Sequence, residues 1–81
     1  MHGLSIMSGL LEAIIENAAT RGIAQVELIR IAAGDLSGVS AEELRFAFTL
    51  VARGTVLENA VLEVESVPGS REVKVEFYEG D

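Results

Sequence analysis

The chain reads as an α/β protein, a two-layer sandwich in which two helices cover one face of a three- to four-stranded mixed sheet. Three observations predict this. Apolar residues recur at helical spacing in two stretches, one after Ser5 and one after Ser40. A run rich in β-branched residues separates them. Two alternating segments follow the second stretch. With 81 residues there is room for one domain, residues 1–81, and a small core that all these elements share.

The first helix is expected from Ser5 to about Thr20. Met7, Leu10, Leu11, Ile14, Ile15 and Ala18 form one apolar stripe, Glu12 and Glu16 lie opposite, and Gly22 is a fitting stop. A short strand before Ser5 would be the fourth of the sheet. From Ile23 to Ala33, Val26, Leu28, Ile29 and Ile31 alternate with Gln25, Glu27 and Arg30, which predicts a strand buried well on one face and partly on the other. Gly34 to Val39 is a loop carrying two glycines.

Ser40 and Glu43 have capping-box spacing at the start of a second helix. Leu44, Ala47, Phe48 and Val51 make its inward stripe, and Gly54 ends it. Arg45 and Phe46 fall off that stripe and are the best candidates for a partner surface. In the next strand, Ala60 to Val67, Leu62 and Val64 oppose Glu63 and Glu65. In the last, Arg71 to Tyr78, Val73, Val75 and Phe77 oppose Glu72, Lys74, Glu76 and Tyr78. Pro68-Gly69-Ser70 is short enough for a hairpin between these two strands, and Glu79-Gly80-Asp81 reads as a polar tail.

Composition narrows the function. The chain is 49% hydrophobic and 23% charged, as globular proteins are. A net charge of −7 argues against nucleic acid or an anionic membrane as partner. The absence of cysteine excludes disulfides, thiolate zinc sites and cysteine nucleophiles. With no basic leader and no long apolar run, the cytoplasm is the expected location. No nucleotide-binding glycine pattern or nucleophile elbow is present, and Asp35, Ser37 and His2 make a poor triad because a terminal histidine is weakly held. The Glu12–Glu16 pair and the glutamates of the last two strands read as solvated faces, the latter pairing with Lys74.

The remaining chemistry lies at Met1-His2. A free α-amine, the His2 amide nitrogen and the His2 imidazole close a five- and a six-membered chelate ring on one ion. Three nitrogens in one plane suit Ni(II) or Cu(II). The Gly3 amide, a water or a partner group would be the fourth donor. Taken alone, a histidine beside a chain start is more often a frayed surface residue. The chelate also requires that nothing precede Met1.

Met1-His2 followed by Leu4-Ser5-Ile6, Gly34-Asp35-Leu36-Ser37-Gly38-Val39, Leu44-Arg45-Phe46-Ala47-Phe48, Gly54-Thr55, Glu58-Asn59-Ala60 and Leu62-Glu63-Val64-Glu65 resemble, in order and spacing, the HypA/HybF hydrogenase nickel-incorporation proteins. The resemblance covers residues 1 to 68, and Arg71-Glu72-Val73 onward resembles the family's last strand. It implies a nickel metallochaperone, not an enzyme. The metal residues would be Met1, His2 and, through its backbone, Gly3. The implied partners are a HypB-type GTPase and the large subunit of [NiFe] hydrogenase; related members support urease maturation.

Two departures touch the metal chemistry. The family carries a zinc module with two CxxC pairs between the segment ending near Pro68 and the last strand. Here Pro68-Gly69-Ser70 joins the two directly, so no zinc is expected. The junction reads as a deletion, whether engineered or in a natural short paralogue. Loss of the module changes how the last strand reaches the sheet, which opens a route to a homo-oligomer or domain-swapped dimer. The second departure is Gly3, where the family usually has glutamate; glycine removes a carboxylate and loosens the backbone. The rival expectation is therefore a metal-silent interaction scaffold that docks the GTPase.

Overall fold

The computed structural model describes residues 2–81. Its elements are α1 (His2–Thr20), β1 (Val26–Gly34), α2 (Ala41–Val51), β2 (Val61–Val67) and β3 (Val73–Gly80). The helix α1 starts three residues before the expected Ser5, and no strand precedes it among the described residues. Gly3 is the reason: it stands one turn before Met7 and continues the buried row Gly3, Met7, Leu11, Ile14, Ala18. Leu10 and Ile15 flank that row, half-buried against the core. At the other end Gly22 takes a left-handed φ of 71°, and the Ile23 amide donates to Ala18 O at 2.9 Å, closing the helix in a Schellman turn.

The sheet has three strands in the order β2-β1-β3, with β2 parallel and β3 antiparallel to β1. The expected mixed sheet is present; the expected hairpin is not. β1, α2 and β2 form a strand–helix–strand unit, which makes β2 parallel to β1. β2 then occupies one edge of β1, and β3 takes the other. Residues 68–72 cross the end of β1 between them. There Asp35 N donates to Val67 O, Leu36 N to Ser70 O and Gly34 N to Glu72 O. Asp35 Oδ1 accepts from Gly69 N at 2.8 Å.

Two irregularities decide which side chains face inward. Val26 pairs with Gly80 and Leu28 with Glu79, so Glu27 is an extra residue in β1. Val26 and Ile29 can then both be fully buried although three positions apart. Ile31 pairs with Val75 and Arg30 with Phe77, so Glu76 is an extra residue in β3. The alternation of β3 consequently reverses. Val73 and Val75 pack against the core as expected, but Phe77 turns outward and Tyr78 inward. The supposed polar tail belongs to this strand, since β3 runs to Gly80 and Asp81 exchanges backbone hydrogen bonds with Gln25.

Both helices lie on one face, α1 toward β3 and α2 toward β2. Between the layers, Met7, Leu11, Ile29, Ile31, Leu44 and Leu57 are fully buried, and among the described residues the core holds no polar side chain. The opposite face of the sheet is open. No described helix is long and apolar enough to cross a membrane.

Candidate metal centre

Among the described residues, no three His, Cys, Asp or Glu side chains come together as a metal site. The candidate donors at the chain start are different in kind, being mostly backbone nitrogens. His2 is exposed and is the first residue of α1. As the opening residues of a helix, His2 and Gly3 have amides with no intrahelical acceptor. Engaging these nitrogens breaks no helical hydrogen bond. The partial positive charge of a helix start also favours deprotonated, anionic amide nitrogen there. Met1, the source of the proposed amine, lies outside the described residues.

Gly3 is buried, and the reason is the start of α2. A Cβ on Gly3 would lie 3.3 Å from Glu43 Cβ, 3.5 Å from Glu43 Oε2 and 3.5 Å from Val39 Cγ1. Glycine lets the two helix starts approach closely. The capping box holds Glu43: its Oε1 accepts from Ser40 N at 3.2 Å, while Ser40 Oγ accepts from Glu43 N at 3.1 Å. Its other oxygen faces the beginning of α1. Sequence spacing points to Glu43 as a cap and gives no sign of its place beside Gly3.

The expected partner residues have separate roles. The Arg45 guanidinium donates from Nη1 to Leu62 O at 2.9 Å, tying α2 to β2. Phe46 is 57% exposed, and Leu50, one turn later, is 40% exposed. These two form an apolar strip on the outer side of α2. The glutamates of the open sheet face gather around Arg30 instead of Lys74. Arg30 Nε and Nη1 each lie 3.0 Å from a carboxylate oxygen, of Glu76 and Glu63 respectively, and Nη2 lies 3.7 Å from Glu65. The hydrogen bonds to Glu63 and then Glu76 raise the Arg30 pKa above its ordinary value. Among the described residues Lys74 has only Glu72, at 3.8 Å. Asp35 and Ser37, the other members of the poor triad with His2, serve the loop: Asp35 accepts from Gly69, and Ser37 Oγ accepts from Val39 N.

The fold and this chain start have known counterparts. Residues 1–74 match the family model described as HypA, hydrogenase/urease nickel incorporation, metallochaperone. A hydrogenase maturation factor HypA from Beijerinckia indica is 43% identical over 70 residues, which are 86% of this chain and 62% of that protein. The corresponding factor from Roseiflexus is 46% identical over 68 residues, 84% of this chain and 55% of its own length. The present chain thus spans about three-fifths of the relatives' length. The solution structure of the Ni metallochaperone HypA from Helicobacter pylori superposes with a TM-score of 0.73 at 17% identity, covering 91% of this chain and 69% of that one. That likeness confirms the fold, and the family match and the identities above show that the chain belongs to the HypA family.

Proposed function

We propose that the chain is the nickel-binding domain of a HypA-type metallochaperone that serves [NiFe] hydrogenase maturation. It is a binding protein and not an enzyme. Ni(II) is its cargo, held by the Met1 amine and the His2 amide and imidazole, with the Gly3 amide, a water or a partner group as fourth donor. The observation that carries this reading is the position of His2 and Gly3 at the very start of α1. Their amides are free of helical hydrogen bonds, and the imidazole is in solvent. An exposed, terminal chelate exchanges its ion readily with an acceptor. Amine, amide and imidazole must all lose protons to bind, so affinity falls as pH falls.

The partners are a HypB-type GTPase and the hydrogenase large subunit, with the Phe46 strip and neighbouring Arg45 as docking surface. The family's zinc module is absent at residues 68–71, where the crossing over β1 closes the domain without it. A metal-silent scaffold is the second reading, favoured by the burial of Gly3, which leaves little freedom for the backbone to fold around an ion. Calorimetric titration with Ni(II) at neutral pH, on protein with a free Met1 amine and on His2→Ala, separates the two. One-to-one binding lost in the variant supports the chaperone. Equal binding by both proteins rules out the terminal chelate, and no binding by either leaves the scaffold.

A further inference from the structure

We propose that the open face of the sheet docks one amphipathic helix of a partner protein, rich in lysine or arginine beside its apolar stripe. This face is distinct from the Phe46 strip, which belongs to the helix layer on the other side of the sheet. Ile29 and Ile31 are buried beneath the helices, so their neighbours Leu28 and Arg30 point the opposite way. Residues paired across strands share a face. Val61, Leu28 and Glu79 therefore make one row across the three strands, and Glu63, Arg30 and Phe77 make the next. Val61 is 61% exposed and Phe77 42%. Leu28 is half-buried and stands apart from the core. Phe77 is the diagonal neighbour of Leu28, within reach of an aromatic ring. Apolar surface thus runs from one edge strand to the other. It exists because Glu76 is an extra residue in β3, which sends Phe77 out of the core and onto this face.

Charge selects the occupant. Four carboxylates lie on this face, Glu63, Glu65, Glu76 and Glu79, against two cations, Arg30 and Lys74. Arg30 is already engaged by three of the glutamates. The surplus is negative, on a chain of net charge −7. A second copy is repelled, and its helices bring Glu12, Glu16, Glu42 and Glu43, not cations. A foreign basic segment is attracted. Its shape follows from the sheet. Three strands are about 10 Å across, the width of one helix, and a sheet with apolar surface on its second face is completed by a second layer.

The test uses a fluorescein-labelled amphipathic peptide of leucine and lysine, about 14 residues or four turns long. Its controls are a scrambled peptide of the same composition and a leucine–glutamate counterpart. Anisotropy measures affinity for the full chain, and amide NMR shifts on the ¹⁵N-labelled parent locate the peptide. Binding is expected with shifts at Leu28, Arg30, Val61 and Phe77, and neither control should match it. Val61→Thr with Phe77→Thr keeps strand-forming residues and should weaken binding roughly tenfold. Glu65→Gln with Glu79→Gln should weaken it about threefold at low salt, with a smaller gap at high salt. Phe46→Ser should bind within about twofold of the parent. The proposal is overturned if the lysine peptide does not bind, if the scrambled peptide binds equally, or if Val61→Thr with Phe77→Thr binds as the parent does. Shifts centred on α2 also overturn it, and this readout on the parent does not depend on any variant folding. Sedimentation of the parent alone gives the last outcome: a dimer whose shifts on dilution fall on this face makes a second copy the occupant and refutes the basic helix.

Discussion

The backbone of Ser70 passes so near Gly34 that a Cβ on Gly34 would lie 2.0 Å from the Ser70 carbonyl oxygen. The crossing from β2 to β3 therefore depends on a glycine at the end of β1. Gly34→Ala must push the crossing away and strain three backbone hydrogen bonds at Gly34, Asp35 and Leu36. The expected loss is about 2–3 kcal/mol in urea unfolding. Gly9 provides the contrast: it lies in α1, exposed, with nothing near its missing Cβ. Gly9→Ala should raise stability by about 0.5–1 kcal/mol. A Gly34→Ala protein as stable as the parent would show that the crossing is not closed as described.

Arg30 is central to the open sheet face, and its loss leaves Glu63, Glu65 and Glu76 without their common cation. Arg30→Met should lower the melting temperature, and by less in concentrated salt than in dilute buffer, since the Debye length shrinks to about 3 Å at 1 M. The pH sign follows from the raised pKa. A raised folded-state value gives stability that is complete below the ordinary arginine range and lost only as pH climbs beyond the folded value. The difference in melting temperature between parent and variant should therefore be the same at about pH 7 and about pH 9, both far below that range. A difference that shrinks between those pH values would mean that another group controls this face.

Arg45 and Phe46 are neighbours with opposite expectations. Removing the Arg45 bond to Leu62 O should cost about 1 kcal/mol, as Arg45→Ala measured by thermal or urea unfolding. Phe46 is exposed, and Phe46→Ser should change stability by less than about 0.5 kcal/mol. If the proposed GTPase docks on this strip, only its binding should suffer in Phe46→Ser, read by a pull-down or by calorimetry with a purified HypB-type GTPase. Unchanged GTPase binding would remove Phe46 from the docking surface.

What is legible in the sequence depends on local spacing. The row from Met7 to Ala18, the Ser40–Glu43 box and the β-rich run of β1 are set by residues one or two turns apart, and each is present. What is not legible depends on partners distant in sequence. Val73, Val75 and Phe77 alternate without a break, yet the unpaired Glu76 turns Phe77 outward, and nothing in the alternation marks that residue. The hairpin expectation treats nearness in sequence as pairing, whereas the two edges of β1 have to be shared between β2 and β3. The Arg30 cluster follows from that strand order. At the chain start His2 stands out by chemistry alone, but Gly3 carries no hydrophobic signal, so its burial against Glu43 and Val39 emerges only when the helix starts meet.

The α-amine provides the sharpest separation of metal binding from folding. Acetylating the amine of Met1 removes one donor of the proposed chelate. It also removes a positive charge from the start of α1, where the helix already carries partial positive charge. The fold should therefore be unharmed, with a melting temperature equal to or slightly above that of the free-amine protein by circular dichroism. Ni(II) binding, measured on the same two samples by calorimetry, should disappear. Because the stability change and the binding change have opposite expected signs, partial unfolding cannot imitate the result. Full Ni(II) affinity in the acetylated protein would move the site away from the amino terminus and remove Met1 and His2 as its carriers.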